Sequence, residues 1–207
     1  MKYVCILCSL AAILWFMMFS PWTRDSINFW VLMMISTGVL AGAGSWAGRD
    51  GSGKIWEFKT GYVFVALVGS FLLYVIFWEA NLLFRQLLPF AGSQVESIYK
   101  PRGNCNLLEI GLMLLLWIGP AEEIFWRGFV QRRLGEVFGG RWGYIWAVVV
   151  YSFVHVWGFN LMLLGAAMVG GVVWGAMYYR FKSIWPGVIC HAVWDVAIFV
   201  IWPIYVD

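Results

Sequence analysis

Two adjacent carboxylates, Glu122 and Glu123, lie in a segment that is otherwise apolar enough to be embedded in a membrane. The segment runs from Leu107 to Arg127 and reads LLEIGLMLLLWIGPAEEIFWR. A charged side chain at the centre of a bilayer costs about 2.5–3.5 kcal/mol on insertion scales. Such groups normally face a protein interior or a wet cavity, where they serve chemistry or transport. The pair therefore marks a candidate functional site.

Helical spacing separates the two carboxylates. Glu123 and Arg127 are four residues apart and share a helix face, which predicts an internal ion pair. Glu122 lies about 100° around the helix from Glu123, so it can point elsewhere and is left for chemistry. Pro120, just upstream, removes a backbone hydrogen-bond donor and predicts a kink that opens space for water.

Both histidines of the chain, His155 and His191, also fall inside apolar segments. Imidazole titrates near neutrality and can accept a proton, donate one or bind a metal. His191 and Asp195 are four residues apart, so they can hydrogen-bond or face one cavity. We expect Glu122, His155 and His191 to meet at similar depth near mid-membrane, in the cytoplasmic half of the bilayer.

These groups need a membrane-embedded framework, and the composition predicts one. The chain has 207 residues, of which 62% are hydrophobic and 12% charged, whereas a soluble domain carries about 25% charged residues. A spanning helix needs about 20 apolar residues. Seven segments qualify, namely Tyr3–Ser20, Ile27–Ala47, Tyr62–Phe84, Leu107–Trp126, Tyr144–Trp157, Asn160–Tyr179 and Ile184–Val206.

The predicted fold is an all-α integral membrane protein, a compact bundle of about seven transmembrane helices. Residues 1–106 supply amino-terminal helices and loops, and residues 107–207 form a four-helix core that carries the carboxylate pair and both histidines. The connections Gly48–Gly61 and Arg85–Asn106 are polar and rich in Gly, Ser or Pro, which predicts loops. In the sixth segment small residues recur every four positions, which predicts close helix packing. These residues are Ala167, Gly171 and Gly175.

The placement of basic residues predicts the orientation, because short cytoplasmic loops are enriched in Lys and Arg. With the amino terminus in the cytoplasm, ten of the 14 basic residues lie on the cytoplasmic side. The other four are Arg24, Arg85, Lys100 and Arg102. The carboxyl terminus is then outside, and the small size favours a prokaryotic plasma membrane. The net charge of +3 is too small to indicate a nucleic-acid partner; the bilayer is the expected surrounding.

Three short motifs resemble the CPBP family of CAAX proteases and bacteriocin-processing (Abi) proteins, whose pattern is EExxxR, FxxxH and Hxxx(N/D). Here they are Glu122-Glu123-x-x-x-Arg127, Tyr151-x-x-x-His155 and His191-x-x-x-Asp195. Two positions depart from the pattern. Tyr151 stands where Phe is usual, which keeps a packed aromatic ring. Asp195 stands where Asn is common; an ionised Asp cannot donate to an oxyanion, so its expected role is to orient His191 or to act protonated.

The resemblance implies an intramembrane endopeptidase that hydrolyses a peptide bond of a membrane-associated protein or peptide. Glu122, helped by His155, would take a proton from the attacking water. His191, supported by Asp195, would stabilise the oxyanion that develops on the scissile carbonyl. Glu123 and Arg127 would hold the helix and tune Glu122.

Three alternatives remain open. The same residues Glu122, His155 and His191 could bind zinc with water as the fourth ligand. We favour a metal-free mechanism, without a cofactor, because the chain has no H-E-x-x-H motif. The protein could also be a non-enzymatic immunity or scaffold component, but the presence of Glu122, His155 and His191 together disfavours this, since a lost activity would release at least one of them. A transporter that uses the carboxylates as a proton relay is the third alternative, and the scarcity of charges in the first two helices disfavours it.

Overall fold

A computed structural model describes residues 1–50, 53–103 and 105–205. The described residues form helices and turns and contain no β-strand, which confirms the all-α class. Val206, the predicted end of the last span, lies outside the described residues, as do Gly51 and Ser52 of the predicted first long loop.

Ten α-helices follow one another along the described chain. They are α1 (Lys2–Phe19), α2 (Phe29–Ala47), α3 (Gly61–Leu87), α4 (Ala91–Tyr99), α5 (Leu107–Met113), α6 (Gly119–Glu123), α7 (Arg132–Phe138), α8 (Gly140–Phe153), α9 (Leu161–Phe181) and α10 (Trp185–Val196). Among the described residues four helices, α1, α2, α3 and α9, are each long and apolar enough to cross a membrane. The shorter apolar helix from Trp185 to Ile201 adds to them. The protein is therefore an all-α membrane protein, as predicted.

All seven predicted segments are helical, but several of their limits differ. The fourth was predicted to end at Trp126, whereas helical structure continues to Phe138. The fifth begins at Gly140 rather than Tyr144 and ends in a 3₁₀ turn, Val154–Gly158. The predicted loop after Arg85 contains helix α4, which buries Ala91, Val95 and Tyr99 on one side. This amphipathic helix is too short and too polar to register as a membrane segment.

The helix that carries Glu122 and Glu123 is irregular around Pro120. Two π-helical stretches, Leu114–Ile118 and Ile124–Gln131, join α5, α6 and α7 into one continuous helical run. The helix continues through Pro120 and absorbs the missing backbone donor in these wider turns, which occur frequently at functional sites. A Cβ atom on Gly119 would lie 3.1 Å from the Ala192 backbone, so this run approaches α10 closely.

The small residues of α9 pack as predicted. A Cβ atom on Gly171 would lie 3.0 Å from the Tyr151 ring, and one on Gly175 would lie 2.8 Å from the Tyr144 ring. Both aromatic residues belong to α8. Glycine thus lets α8 and α9 approach closely, which places the Tyr151 end of α8 beside the centre of α9.

The amino-terminal helices pack directly against the helices that carry the motifs. In α3, the Ser70 hydroxyl donates to the Cys190 carbonyl at 3.0 Å and the Asn81 amide donates to the Ile204 carbonyl at 2.7 Å. A Cβ atom on Gly44 in α2 would lie 3.1 Å from the Phe125 ring. The boundary predicted between residues 106 and 107 stays a prediction.

The connections between helices gather at two ends of the bundle. At the Lys100 end (residues 20–28, 100–103, 105–106 and 158–160) the Trp30 indole donates to the Pro101 carbonyl at 2.8 Å. At the Arg132 end (residues 48–50, 53–60, 138–140 and 182–184) the Ile184 amide donates to the Ile55 carbonyl at 3.0 Å. A site inside the bundle can therefore be described by which of these two ends it opens toward.

Candidate active site

The four residues predicted to be catalytic line one cavity of about 470 Å³. Glu122 comes from α6, His155 from the 3₁₀ turn after α8, and His191 and Asp195 from α10. The structure therefore brings together side chains that are up to 73 residues apart in sequence. Each of them is at least nine-tenths buried, so polar chemistry is concentrated in an otherwise apolar bundle.

Glu123 lies at the centre of a buried polar network. Its Oε1 atom accepts a hydrogen bond from Arg127 Nη1 at 2.9 Å, which is the predicted ion pair. The same oxygen lies 2.9 Å from His191 Nδ1, a partner that helical spacing did not predict. A Cβ atom on Gly187 would lie 2.6 Å from Glu123 Oε2, so glycine leaves room for this carboxylate. Glu123 thus joins the first and third motifs.

Arg127 is held on several sides. Its guanidinium carbon lies 4.7 Å from the Tyr151 ring centroid and 5.4 Å from that of Trp174. Such cation–π contacts are stabilising, and more so where water is excluded. Nη2 also contacts the Gly171 carbonyl at 3.5 Å. The aromatic residue of the second motif therefore packs on the arginine of the first, and tyrosine serves here as well as phenylalanine would.

His191 is fixed by a ring and two carboxylates. Its imidazole stacks on Trp174 with the ring centroids 3.6 Å apart and the planes at 15°. Its Nε2 atom lies 3.5 Å from Asp195 Oδ2, which is longer than an ordinary N–H···O bond. The predicted support from Asp195 is thus weaker than the unpredicted contact with Glu123. Nε2 is the ring nitrogen that remains available to a molecule in the cavity.

Glu122 differs from Glu123 in its surroundings. Glu122 lines the cavity, whereas Glu123 is absent from its lining among the described residues. Glu122 Oε2 has no hydrogen-bond partner in the described part of the chain. A buried carboxylate without a partner is costly and requires an explanation, and a bound water or substrate would provide the missing donor.

His155 uses both of its ring nitrogens. Nδ1 lies 2.9 Å from the Tyr151 carbonyl oxygen, and Trp15 Nε1 donates to Nε2 at 3.1 Å. A carbonyl can only accept and an indole N–H can only donate. These partners therefore assign the proton to Nδ1 and leave His155 neutral, with its lone pair on Nε2 directed at Trp15.

His155 lies in the turn that ends at Gly158, close to the Lys100 end of the bundle. Its predicted depth in the bilayer stays a prediction. The spacing argument counted residues from Tyr144, whereas α8 begins at Gly140. The cavity accordingly runs from Glu122 toward the Lys100 end.

The alternative zinc ligands, Glu122, His155 and His191, do not fit a metal in this arrangement. Zinc needs a free lone pair on each histidine ligand, and the lone pair of His155 accepts the Trp15 hydrogen bond. The part of the chain that the structure describes has no group of three or more His, Cys, Asp or Glu side chains arranged to hold a metal ion.

Comparison with known families agrees with these motifs. Residues 104–197 match the family model for type II CAAX prenyl endopeptidase, Rce1-like. This segment of the chain is similar to the Rce1-like CAAX protease family. The matched residues include all three motifs, so the resemblance inferred from them is confirmed. No curated protein and no solved structure shows significant similarity to the chain.

This similarity supports assigning the chain as an intramembrane protease that acts on a peptide or protein. One residue that contacts its candidate site lies outside the matched segment. Trp15 belongs to α1, is fully buried and packs its ring edge-on against both Trp126 and His155. The chain has 15 tryptophans, so nothing in the sequence distinguishes Trp15. Its role follows from tertiary packing alone.

Replacing Trp15 with phenylalanine is expected to lower kcat for peptide cleavage while leaving KM nearly unchanged. The ring packing is kept, but His155 loses the donor that orients it. Combining Trp15→Phe with His155→Ala should cost no more activity than His155→Ala alone, because Trp15 acts through His155. ¹⁵N NMR of the His155 ring should show the changed bond at Nε2.

A matched control is Trp117→Phe, which removes an indole that donates to the Met34 carbonyl at 3.0 Å outside the cavity. Its kcat should stay at the wild-type value. A further loss of activity in the double variant would contradict the positioning role of Trp15.

Proposed function

We propose that the protein is a glutamate-type intramembrane endopeptidase in which Glu122 activates the attacking water. The observation that carries this proposal is the unpartnered Glu122 carboxylate, which lines the same cavity as His191 and Asp195. Glu123 also has one unpartnered oxygen, Oε2, but its Oε1 is held by Arg127 and His191, and among the described residues it does not line the cavity. The division into one structural carboxylate and one catalytic base therefore has support from the contacts of both residues.

The proposed chemical step conserves all atoms. Glu122 accepts a proton from water while the water oxygen bonds to the scissile carbonyl carbon. The carbonyl oxygen becomes an oxyanion, and the Glu122 carboxyl then gives the proton to the leaving amine as the C–N bond breaks. The net result is the addition of one water across the peptide bond.

The proposed oxyanion stabiliser is His191. Its Nδ1–H is directed at Glu123, and as an imidazolium it can also donate from Nε2 toward the cavity. A donor that is already oriented adds little reorganisation cost when charge develops, which makes such groups effective. Asp195 lies beside Nε2 and would orient the ring in the absence of substrate.

The proposed role of His155 changes from helper base to a fixed part of the cavity wall. Both of its nitrogens are engaged by Trp15 and Tyr151, so its lone pair is not free to take a proton from water. Glu122 is then the sole base in the proposed mechanism.

Activity in a strong chelator tests the metal-free form of this proposal. We expect purified protein in detergent to cleave membrane-associated peptides, among them a prenylated C-A-A-X peptide, at the same rate with and without the chelator. The reason is that no metal takes part in the proposed step. Elemental analysis of the same sample provides the control, because a stoichiometric zinc content with chelator-sensitive cleavage would favour the zinc alternative instead.

A further inference from the structure

We propose that the active-site cavity opens at the extracytoplasmic face of the membrane, so that the substrate peptide enters from that side. This inference rests on the proposed function for its substrate, but its first test does not depend on activity. It joins two independent observations, namely the direction in which the cavity opens and the distribution of basic residues over the two ends of the bundle.

The cavity reaches the connections of the Lys100 end and none of the described connections of the Arg132 end. Its inner part is formed by Glu122, His191 and Asp195. Its mouth lies among residues of three separate connections. These mouth residues are Arg24, Asp25, Asn28, Lys100, Pro101, Cys105, Gly158 and Asn160. A peptide can therefore reach the catalytic side chains from this end.

Hydrogen bonds tie together the described connections of the Arg132 end. The buried Arg132 guanidinium donates to the carbonyl oxygens of Gly48, Asp50 and Gly128, which ties the connection after α2 to the helix that carries the carboxylates. On the other side of this end the Ser183 hydroxyl donates to the Glu57 carbonyl at 2.8 Å. These bonds hold the described connections of this end against the helices that they join, and the cavity that contains Glu122 reaches none of them.

Basic residues mark the Arg132 end as cytoplasmic. Arg127 is buried in its pair with Glu123 and is left out of the count. Of the 13 other basic residues, nine lie at or near the Arg132 end. These nine are Lys2, Arg49, Lys54, Lys59, Arg132, Arg133, Arg141, Arg180 and Lys182. Because such an excess marks the cytoplasmic side, the Lys100 end and the cavity mouth face the opposite side.

The lining of the cavity indicates which peptide it fits. Large apolar side chains form the wall between the mouth and Glu122, among them Phe19, Trp30, Met33 and Phe199. The volume of about 470 Å³ lies in the range of about 300–1,000 Å³ that is typical of ligand sites. The occupant we propose is an extended apolar peptide segment of a membrane-associated protein, whose polar continuation lies at the mouth near Lys100.

Cys105 makes the direction of the mouth measurable, because it is exposed and lines the cavity. In intact cells that express the protein, a membrane-impermeant maleimide should label it. Labelling that is present in the wild-type protein and absent from the Cys105→Ser variant is assigned to Cys105. A matched reporter for the other end is Thr60→Cys in the Cys105→Ser background, since Thr60 is exposed and makes no side-chain capping bond.

The two reporters should respond in opposite ways. We expect the cysteine at position 60 to react only after the cells are permeabilised, whereas Cys105 reacts before. The reverse pattern, with Cys105 protected until permeabilisation, would overturn the proposal. Neither readout requires cleavage, so this result is distinguishable from a failure of the proposed protease function.

A second experiment tests whether the mouth is the substrate's route. Purified protein modified at Cys105 with a bulky maleimide should lose most of the peptide cleavage that it shows before modification, and treatment of the Cys105→Ser variant should leave that variant's own rate unchanged. Full cleavage by completely modified protein would overturn the proposed route while leaving the protease activity itself established.

Discussion

Replacing Glu122 with glutamine is expected to reduce peptide cleavage by about 10²–10⁴-fold, the usual contribution of a general base. Glutamine keeps the size of the side chain but cannot accept the proton of the attacking water. Because Glu122 Oε2 has no hydrogen-bond partner among the described residues, the substitution breaks no hydrogen bond at that atom. The measurement is the initial rate with purified protein, together with its thermal unfolding midpoint.

Glu109→Gln is the matched control, since it makes the same chemical change at an exposed position on the same helical run. Its rate and its unfolding midpoint should stay at the wild-type values. Wild-type cleavage by Glu122→Gln with the fold retained would disprove Glu122 as the base.

Replacing Arg127 with methionine is expected to lower the free energy of unfolding by about 3–5 kcal/mol, as removal of one partner of a buried ion pair does. Glu123 is fully buried and would keep only His191 beside its charge. The substitution also removes the cation that lies between Tyr151 and Trp174. Reversible denaturant unfolding in detergent, followed by tryptophan fluorescence, measures the change.

Arg133→Met provides the comparison, because Arg133 pairs with the exposed Glu136 at 2.7 Å. A pair at the surface contributes about 0–1 kcal/mol, so its loss should be small. The double variant Glu123→Gln/Arg127→Met should be more stable than Arg127→Met, because no uncompensated carboxylate is left. Equal losses in the Arg127 and Arg133 variants would contradict the central role of the buried pair.

Interactions between residues of one helix were predictable from the sequence. The Glu123–Arg127 pair, the separation of Glu122 from Glu123 and the small-residue face of α9 all follow from helical geometry. The class of the fold was likewise predictable. A segment that spans a membrane must satisfy its backbone hydrogen bonds within the protein, and only α-helices and closed β-barrels do so. Composition and three short motifs sufficed for the all-α membrane class and for the resemblance to CAAX proteases.

Contacts between helices were decided only by tertiary structure. The pairing of His191 with Glu123 depends on how α10 crosses α6, and the bond from Trp15 to His155 depends on where α1 packs. The π-helical turns on both sides of α6 also shift the residues that follow away from regular α-helical phase. The opening of the cavity at the Lys100 end depends on all of these crossings together. Sequence spacing determines the direction of a side chain only within its own helix, whereas the position and rotation of each helix are set by packing against the others.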